Sequence, residues 1–389
     1  MARGTIIKRQ RKTGPVYLAR VDIGPDPITG KRRQPSETFA RRKDAEKRLA
    51  EWLNEIDRGT AIEPSKMTVA DLLRSWLDDV AAHRVRPTTL EGYRWQVEKY
   101  VIPALGTVPV QKLTAAKIQA FYTGLLDRDI KPRTIQLCNL RLKQGLAQAV
   151  KWSIIQTNPT DSVDVPTVRY KRSETWDRRQ LKLFLLAAEN DSLNPLWLLL
   201  ATTGMRRREA LGLRWRDVDL DRGRITIQQS VVSYKGGAII QEPKTASGRR
   251  TIPVDQDVVQ ALKAFRKEWN ATKLAADPKL WENHDLLFCT ALGKPLNPNN
   301  IARNYERIIS KLNAERKADD LPEVPRIRIH DLRHTHASLL LQEGVGVKVV
   351  SERLGHANIA ITLNTYAHVL PDMQDQAVAL FSAMLARVE

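Results

Sequence analysis

The chain has 389 residues, enough for two or three domains with separate hydrophobic cores. Its 63 Lys and Arg residues outnumber 44 Asp and Glu residues, and the net charge of +19 favours a polyanionic partner, with nucleic acid ahead of a membrane surface. The two cysteines lie far apart, which argues against a disulfide framework, and the lack of a signal-peptide core or a membrane-length apolar run predicts a cytoplasmic protein.

Residues 1–60 are predicted to form a small domain of three strands and one helix. Strand-like alternation is present at 4–9, 16–23 and 33–39, with a Gly- and Pro-rich turn before the third strand. Helical periodicity follows from 41 to about 57. This stretch is the most basic in the chain, so it either binds a polyanion or forms a solvated charged face. Its basic residues include Lys8, Arg9, Arg11, Lys12, Arg20, Lys31, Arg32 and Arg33.

Residues 66–163 are predicted to form an all-helical domain. The segments 59–65 and 164–174 lack an apolar period, so we interpret them as linkers on either side of it. Four amphipathic helices with apolar residues at helical spacing begin near Thr68, Pro87, Thr114 and Pro132. Basic residues in this domain include Arg94, Arg133 and Arg141.

Residues 174–389 are predicted to form a mainly helical domain with a small antiparallel sheet. An apolar helical run at 196–201 is broken by Gly204, and Arg206 opens the next helix. Three strands are predicted at 224–232, 238–243 and 249–254, joined by turns at 234–237 and 245–248. Later helices are predicted at 330–341 and 347–354.

Several groups suited to phosphate chemistry are concentrated between residues 330 and 366. Arg333 offers a planar fork of donors for two phosphate oxygens. His330 and His356 can exchange or donate protons near neutral pH. Tyr366 carries a hydroxyl that could attack phosphorus and form a covalent intermediate.

The order and spacing of these residues resemble one enzyme family. Residues 203–217 have the pattern T-G-x-R-x-x-E-x-L-x-L-x-W-x-D, followed by H-x-L-R-H at 330–334, L-G-H at 354–356, and Tyr366. Across its C-terminal half the chain is therefore similar to the tyrosine recombinase (phage-type integrase) family.

The resemblance implies a multidomain α+β fold with three DNA-contacting domains. Residues 1–60 would be the arm-type DNA-binding domain, whose sheet enters the major groove. Residues 66–163 would be the SAM-like core-binding domain, which clamps the crossover site together with a catalytic domain at 174–389. The basic residues named above in the first two domains then become candidate DNA contacts.

The family's chemistry implies a role for each residue of the patterns. Tyr366 would be the nucleophile, forming a 3′-phosphotyrosyl bond and releasing a 5′-hydroxyl. Arg206 and Arg333 would clamp the non-bridging phosphate oxygens, where preorganised positive donors stabilise developing charge. Glu209, one turn after Arg206, would orient that arginine or His330.

The resemblance also implies how protons move. Lys244, at the mouth of the second predicted turn, would protonate the leaving oxygen, with Lys235 as the alternative. His330 would accept the tyrosine proton or bind the phosphate, and His356 would donate to the phosphate. By the same resemblance, the reaction would need no metal or other cofactor. It would need no ATP, because the covalent intermediate conserves the bond energy.

A zinc site could also be built from the histidines of this stretch, His330, His334 and His336. The sequence has no His-Glu-x-x-His motif and no carboxylate partner, and Arg333 would place a positive charge beside the metal. We therefore predict no metal site, and we interpret His334 and His336 as helix-packing residues.

The resulting hypothesis is a site-specific recombinase that integrates and excises a mobile element. Its expected partners are double-stranded DNA with core and arm-type sites, three further copies in a synaptic homotetramer, a DNA-bending protein and a directionality factor, with no membrane. The alternatives are an Xer-like resolvase or invertase and a catalytically silent DNA-binding regulator. An apolar tail of helical spacing would pack on its own domain or dock on a neighbouring protomer; it comprises Ala377, Val378, Leu380, Phe381, Met384 and Leu385.

Overall fold

The computed structural model has a mixed α+β fold, as the sequence predicts. It describes residues 3–11, 14–22, 34–57, 64–168, 174–242, 248–367, 378 and 381–386. The chain divides into two compact units, Met1–Tyr170 and Lys171–Glu389. None of the helices in these described segments combines the length and the hydropathy that crossing a bilayer requires.

The first unit begins with a three-stranded antiparallel sheet covered by one helix. The strands are β1 Arg3–Arg11, β2 Gly14–Asp22 and β3 Ser36–Phe39, in the order β1-β2-β3. Helix α1, Arg42–Asp57, packs on this sheet through a small core that contains Ala19, Val21, Ala45 and Trp52. The three strands and the helix are thus confirmed, whereas the turn predicted before the third strand lies outside the described residues.

The rest of the first unit is helical, as predicted. Its helices are α2 Val69–Ser75, α3 Pro87–Gln96, α4 Ile102–Leu105, α5 Ala115–Leu126 and α6 Pro132–Lys151. The wider helical stretches Trp76–Ala81 and Val97–Val101 continue α2 and α3. Thr68 caps α2 with its side chain and forms a reciprocal capping box with Asp71. One hydrophobic core joins these helices.

The second unit is built mainly from helices around an aromatic core. The helices are α7 Arg178–Ala187, α8 Asn194–Thr203, α9 Arg207–Leu211, α10 Gln256–Ala275, α11 Pro298–Ala318, α12 Asp331–Gln342, α13 Val347–Leu354 and α14 Ile359–Tyr366. Trp176, Phe184, Trp197 and Tyr305 form the centre, with ring centroids 5.3 to 6.3 Å apart. Such aromatic contacts add to the free energy gained from burial alone.

The strands of the second unit differ from the prediction in two ways. They are β4 Val218–Asp219, β5 Arg224–Ile227, β6 Ser230–Tyr234, β7 Gly237–Gln241 and β8 Arg250–Pro253. The single strand predicted at 224–232 is two strands in separate sheets, because the chain turns away at Gln229, whose side chain donates to the carbonyl of Gly212 at 3.0 Å.

The second difference is the pairing of the last strand. We expected β8 to follow β7 across a hairpin turn, but β8 pairs with β5, and the buried side chains of Ile225 and Ile252 lie opposite one another. The first predicted turn is confirmed: β6 and β7 form a hairpin in which Lys235 and Gly236 both have positive φ, 46° and 80°. This is the combination that a type I′ turn requires.

The described part of the apolar tail is helical at 381–385. Val378, Phe381, Met384 and Leu385 remain 61 to 65% exposed, so these four side chains do not pack into their own unit. Ala377 and Leu380 lie outside the described residues.

Gly212 permits a close approach between α9 and β6. A Cβ atom at this position would lie 2.8 Å from the carbonyl oxygen of Gln229 and 2.8 Å from the Cα of Ser230. These are backbone atoms at the start of β6 and immediately before it, and they cannot rotate away as a side chain could. A side chain at Gly212 would therefore push α9 off the strand.

Gly212→Ala should therefore lower the free energy of unfolding by about 1–3 kcal/mol, as overpacking does. Gly237→Ala is the matched control, because its Cβ would meet the Tyr234 carbonyl oxygen at an ordinary 3.7 Å, and the change there should stay within about 0.5 kcal/mol. Urea unfolding followed by tryptophan fluorescence measures both. Equal stabilities of the two variants would contradict the argument.

Candidate active site

A left-handed turn at the end of α8 brings the sequence pattern at 203–217 next to the pattern at 330–334. Gly204 has φ 65°, and a Cβ atom there would lie 2.6 Å from the ring of His336 and 2.8 Å from Leu354. Only glycine fits without strain. The Gly204 carbonyl accepts a hydrogen bond from Nη1 of Arg333 at 2.9 Å, which connects the pattern at 203–217 to α12.

A buried carboxylate holds two arginines beside this turn. Oε1 of Glu209 accepts from Nη1 of Arg206 at 2.7 Å, and Oε2 accepts from Nη2 of Arg250 at 2.9 Å. The backbone N–H of Arg206 also donates to Glu209, at 2.9 Å. Burial opposes ionisation of Glu209, but the guanidinium groups of Arg250 and Arg206 outweigh it, so its pKa lies below the usual range. Glu209 is therefore a carboxylate at neutral pH.

Arg250 is a member of this cluster that our sequence analysis did not identify. Its side chain is only 8% exposed, and its Nε donates to the carbonyl of Arg353 at 2.8 Å. Its Nη1 finds no acceptor among the described residues. Gly355, which has φ 67°, makes room for this guanidinium, since a Cβ there would lie 2.7 Å from Nη1. The signal in the sequence is the pair of basic residues that immediately follows Gly248.

Arg333 is buried, and only some of its N–H donors have a hydrogen-bond acceptor. It is 3% exposed, and its Nη2 has no acceptor in the described part of the chain. Burial, reinforced by the charge of Arg206, lowers its pKa to about 9, so it stays charged at neutral pH. A buried donor without a partner costs free energy until an acceptor arrives, and a phosphate oxygen would be such an acceptor.

Tyr366 is the last residue of α14, and its side chain is buried. The residue is 2% exposed and packs with Ala337, Leu341 and Val350. Its hydroxyl lies 2.8 Å from Nδ1 of His334. Burial raises the pKa of Tyr366 to about 12, so the group is a phenol and not a phenolate at neutral pH.

The partner of the Tyr366 hydroxyl is thus His334 and not His330, for which this contact is predicted from the sequence. The rings of His330 and His334 are perpendicular, with centroids 5.4 Å apart. His330 is solvent-exposed as a residue, but desolvation of its ring, together with His334 and Arg333, lowers its pKa to about 4. Its imidazole is therefore neutral at neutral pH.

His356 lies between Gly355 and α14 as a neutral donor. Its Nδ1 is 2.8 Å from the hydroxyl of Thr362, and burial followed by the charges of Arg333 and Arg206 lowers its pKa to about 4. When Thr362 donates to Nδ1, the proton of the imidazole resides on Nε2, which can then donate to an anion.

His336 is a packing residue, as predicted. Its Nε2 accepts from Nε of Arg353 at 3.0 Å, and burial lowers its pKa to about 3. Arg353 also donates to the carbonyl of Thr202 at 2.8 Å, so this pair links α12, α13 and α8.

The predicted acid of the reaction cannot be placed here, because Lys244 lies outside the described residues. The alternative, Lys235, is exposed at the tip of the β6–β7 hairpin, with its Nζ 5.5 Å from the centre of the Tyr234 ring. No group of three His, Cys, Asp or Glu residues in the described segments could hold a metal ion.

The candidate DNA contacts of the N-terminal sheet lie on different faces. A Cβ on Gly4 would contact Leu49 of α1, so even-numbered residues of β1, including Lys8, point to the helix side. Arg9 and Arg11 point to the opposite face, and Arg20 joins them because it pairs with Thr5 in the register. Lys12, Lys31, Arg32 and Arg33 lie outside the described residues.

The three candidate contacts of the helical domain have protein partners. Arg94 pairs with Asp78, and Arg133 donates to Gln136 at 3.2 Å. Arg141 is 6% exposed, and its guanidinium lies 3.5 Å from the centre of the Tyr93 ring. The prediction that Arg141 contacts DNA is not supported, because stacking and hydrogen bonds hold its charge inside the domain.

The fold and the site together define a class of enzyme: a DNA-acting protein with a sheet domain, a helical domain and an arginine-rich site beside a buried tyrosine. Comparisons with family descriptions agree. An arm DNA-binding domain matches residues 6–56, the N-terminal SAM-like domain of phage integrases matches 68–126, and the phage integrase family matches 177–373. Since the last match covers half of the chain, the protein belongs to the phage integrase family.

Relatives with established names point to the same enzyme class. A "Tyrosine recombinase XerC-like" of Caldanaerobacter subterraneus subsp. tengcongensis is 29% identical, over 87% of this chain and 88% of its own length. An integrase of Streptomyces ambofaciens is 29% identical, over 96% of this chain and 93% of its own. The protein is accordingly a tyrosine recombinase, which cleaves and rejoins DNA at specific sites.

Solved structures share the architecture. The Tn1549 transposon integrase in complex with transposon right end DNA has a TM-score of 0.67 and 25% identity, over 82% of this chain and 100% of that chain. A lambda integrase tetramer bound to a Holliday junction has a TM-score of 0.56 and 18% identity, over 94% of this chain and 95% of that chain. The second likeness is one of fold alone.

The buried His336 makes the second unit sensitive to acid. Because its folded pKa is depressed, its contribution to stability is complete above the unfolded pKa near 6.5 and is lost as pH falls towards about 3. His336→Gln keeps an acceptor for Arg353 without the titration, so between pH 6 and pH 4 it should lose about 2 kcal/mol less than wild type. Urea unfolding at each pH measures the difference. The same loss in both proteins would contradict this assignment.

Proposed function

We propose that this chain is the integrase of a mobile element and that it cleaves DNA through a covalent bond between Tyr366 and a 3′-phosphate. The observation that carries the proposal is the arginine cluster. Three guanidinium groups, those of Arg206, Arg250 and Arg333, surround the single carboxylate of Glu209. Two of their buried donors lack acceptors in the described segments. An uncompensated buried charge is costly, so the site is completed by an anion, and the scissile phosphate is that anion.

The proposed reaction is an in-line displacement at phosphorus. The Oη atom of Tyr366 forms a bond to phosphorus as the bond from phosphorus to the 5′-oxygen breaks, and Lys244 gives a proton to that oxygen. Arg206 and Arg333 hold the non-bridging oxygens, and Glu209 positions Arg206. The phosphotyrosyl bond retains the free energy of the phosphodiester, so a 5′-hydroxyl from a partner duplex restores it without ATP.

Two histidines complete the phosphate site in this proposal. His356 donates from Nε2 while Thr362 occupies its other ring nitrogen. His330, which is exposed at the N-terminus of α12, hydrogen-bonds the phosphate from the solvent side. Both are neutral before DNA binds, and the negative charge of a phosphate would raise their pKa values.

The whole assembly is proposed by likeness to relatives. The three domains would span 1–60, 66–163 and 174–389, bind arm-type and core sites, and assemble as a homotetramer on synapsed DNA inside the host cell, on its nucleoid. The exposed apolar side chains of the tail, Val378, Phe381, Met384 and Leu385, would dock on a neighbouring protomer. The arm DNA-binding match at 6–56 supports a DNA-bending protein and a directionality factor as further partners, which would control the direction of recombination.

Two alternative functions would require different features of the chain. An Xer-like resolvase is favoured by the name of one relative, but the arm DNA-binding match at 6–56 favours an integrase, since simple resolvases of this family usually lack that domain. A catalytically silent regulator would need DNA binding but would not need the buried arginine cluster beside Tyr366.

The covalent step can be trapped on a nicked substrate. The core site is first mapped by footprinting on DNA that carries the element's junctions, and a nick is then placed just downstream of the scissile phosphate so that the cleaved end diffuses away. On a denaturing gel with a metal chelator, wild type should give a protein–DNA band and Tyr366→Phe none. DNA binding in a native gel should be equal for both. A band from both proteins would show that another residue is the nucleophile, and a band from neither would favour the regulator.

The face of the N-terminal sheet predicts which basic residues bind the arm-type site. Arg9→Ala and Arg20→Ala should each reduce the slope of log affinity against log salt concentration by about 1, because each removes one phosphate contact. Lys8→Ala is the matched control, since Lys8 points to the side of α1, and it should leave the slope nearly unchanged. Fluorescence anisotropy with arm-type DNA measures the slopes. A change for Lys8 equal to that for Arg9 would contradict the assigned face.

A further inference from the structure

The hydroxyl of Tyr366 has one hydrogen-bond partner among the described residues, Nδ1 of His334 at 2.8 Å. The tyrosine is 2% exposed and packs among apolar side chains, and the charged groups close enough to influence its pKa are Arg333 and Asp331. Among the described residues, Nδ1 of His334 is therefore the group placed to take the Oη–H proton. We propose that His334 is the general base of the reaction, which accepts the Tyr366 proton on Nδ1 as Oη bonds to phosphorus. This inference rests on the proposed role of Tyr366 as the nucleophile.

The position of His334 on α12 supports this role. It directly follows Arg333, whose Nη1 is held by the Gly204 carbonyl. It directly precedes Thr335, whose hydroxyl accepts the backbone N–H of Trp176 at 3.1 Å in the core. The helix is thus anchored on both sides of His334, and the distance from its Nδ1 to the tyrosine is set by packing. A base held on a rigid element meets the geometric requirement for proton transfer.

The protonation states agree with the proposed transfer. Tyr366 keeps its proton at neutral pH, so a base must take that proton during the attack. Burial lowers the pKa of His334, which leaves its imidazole neutral and able to accept. The charged side chains that influence it are Asp331, which stabilises the imidazolium, and Arg333 and Arg328, which oppose it.

The step is balanced in both directions. In cleavage, the Oη–H proton moves to Nδ1, the Oη–P bond forms, and the bond from phosphorus to the 5′-oxygen breaks as that oxygen takes a proton from the acid. In rejoining, a 5′-hydroxyl attacks phosphorus and gives its proton back to the acid, which lost one in cleavage. The Oη–P bond breaks, and His334 returns its proton to Oη. His330, for which the sequence had suggested this role, makes no hydrogen bond to Tyr366 in the described structure.

The test measures single-turnover formation of the covalent adduct on the nicked core-site duplex. His334→Asn keeps an acceptor near the Nδ1 position but cannot take a proton at neutral pH, so adduct formation should slow by about 10²- to 10⁴-fold, the usual contribution of a general base. DNA affinity and the thermal midpoint should match wild type. His284→Asn, a change in the same unit at a side chain that pairs with Glu282, should react at the wild-type rate.

A second substrate separates the two ends of the reaction. When the scissile 5′-oxygen is replaced by sulfur, the leaving thiolate needs no acid, so a defect in proton donation is relieved but a defect at the nucleophile persists. The His334→Asn defect should therefore be as large with the sulfur substrate as with oxygen. A wild-type rate for His334→Asn, or recovery of its rate with sulfur, would overturn the proposal while leaving Tyr366 as the nucleophile. Failure of wild type to form any adduct would overturn the proposed function and this inference with it.

Discussion

The active site depends on one buried carboxylate that holds two arginines and leaves a third beside it. Glu209 accepts from Arg206 and from Arg250, and Arg333 is anchored separately by the carbonyl of Gly204. Like charges repel strongly where water is excluded, so three guanidinium groups with no carboxylate would spread apart. A second carboxylate would neutralise most of the field that a phosphate needs. One negative charge keeps the arginines in place and leaves a positive surplus. The pKa of Arg333 is lowered first by burial and then by the charge of Arg206.

Helix α12 fixes the positions of the groups around this charge cluster. Successive residues of the helix hold the turn at Gly204, the hydroxyl of Tyr366 and the backbone of Trp176, through Arg333, His334 and Thr335. The groups proposed to act on one phosphate are therefore fixed relative to one another by a single helical turn. Glycines at the ends of α8 and α13 allow this closeness, since a side chain at either would collide with the site. The close packing of the site requires glycine at these two positions as much as it requires the arginines.

Much of the architecture could be predicted because it follows from local rules. Helical periodicity located α1, α6 and α12 within a few residues, and the turn at 234–237 was predicted from its adjacent glycines, Gly236 and Gly237. Strand pairing was wrong, because β8 has the same apolar alternation whichever neighbour it takes, and the choice is made by burial of Ile225 against Ile252. The sequence does not distinguish a basic residue that faces DNA from one that stacks on an aromatic ring, as Arg141 stacks on Tyr93.

The sequence by itself determined the class of this protein and predicted its reactive groups, because Arg206, His330, Arg333, His356 and Tyr366 occur in an order and spacing that local chemistry and family resemblance make specific. Only the tertiary structure decided how they are connected. It placed Arg250 beside Glu209 and turned His334 instead of His330 towards Tyr366. Those contacts join residues far apart in the chain, or choose between neighbouring turns of one helix. The direction of a side chain there is set by the packing of other elements, which no local pattern records.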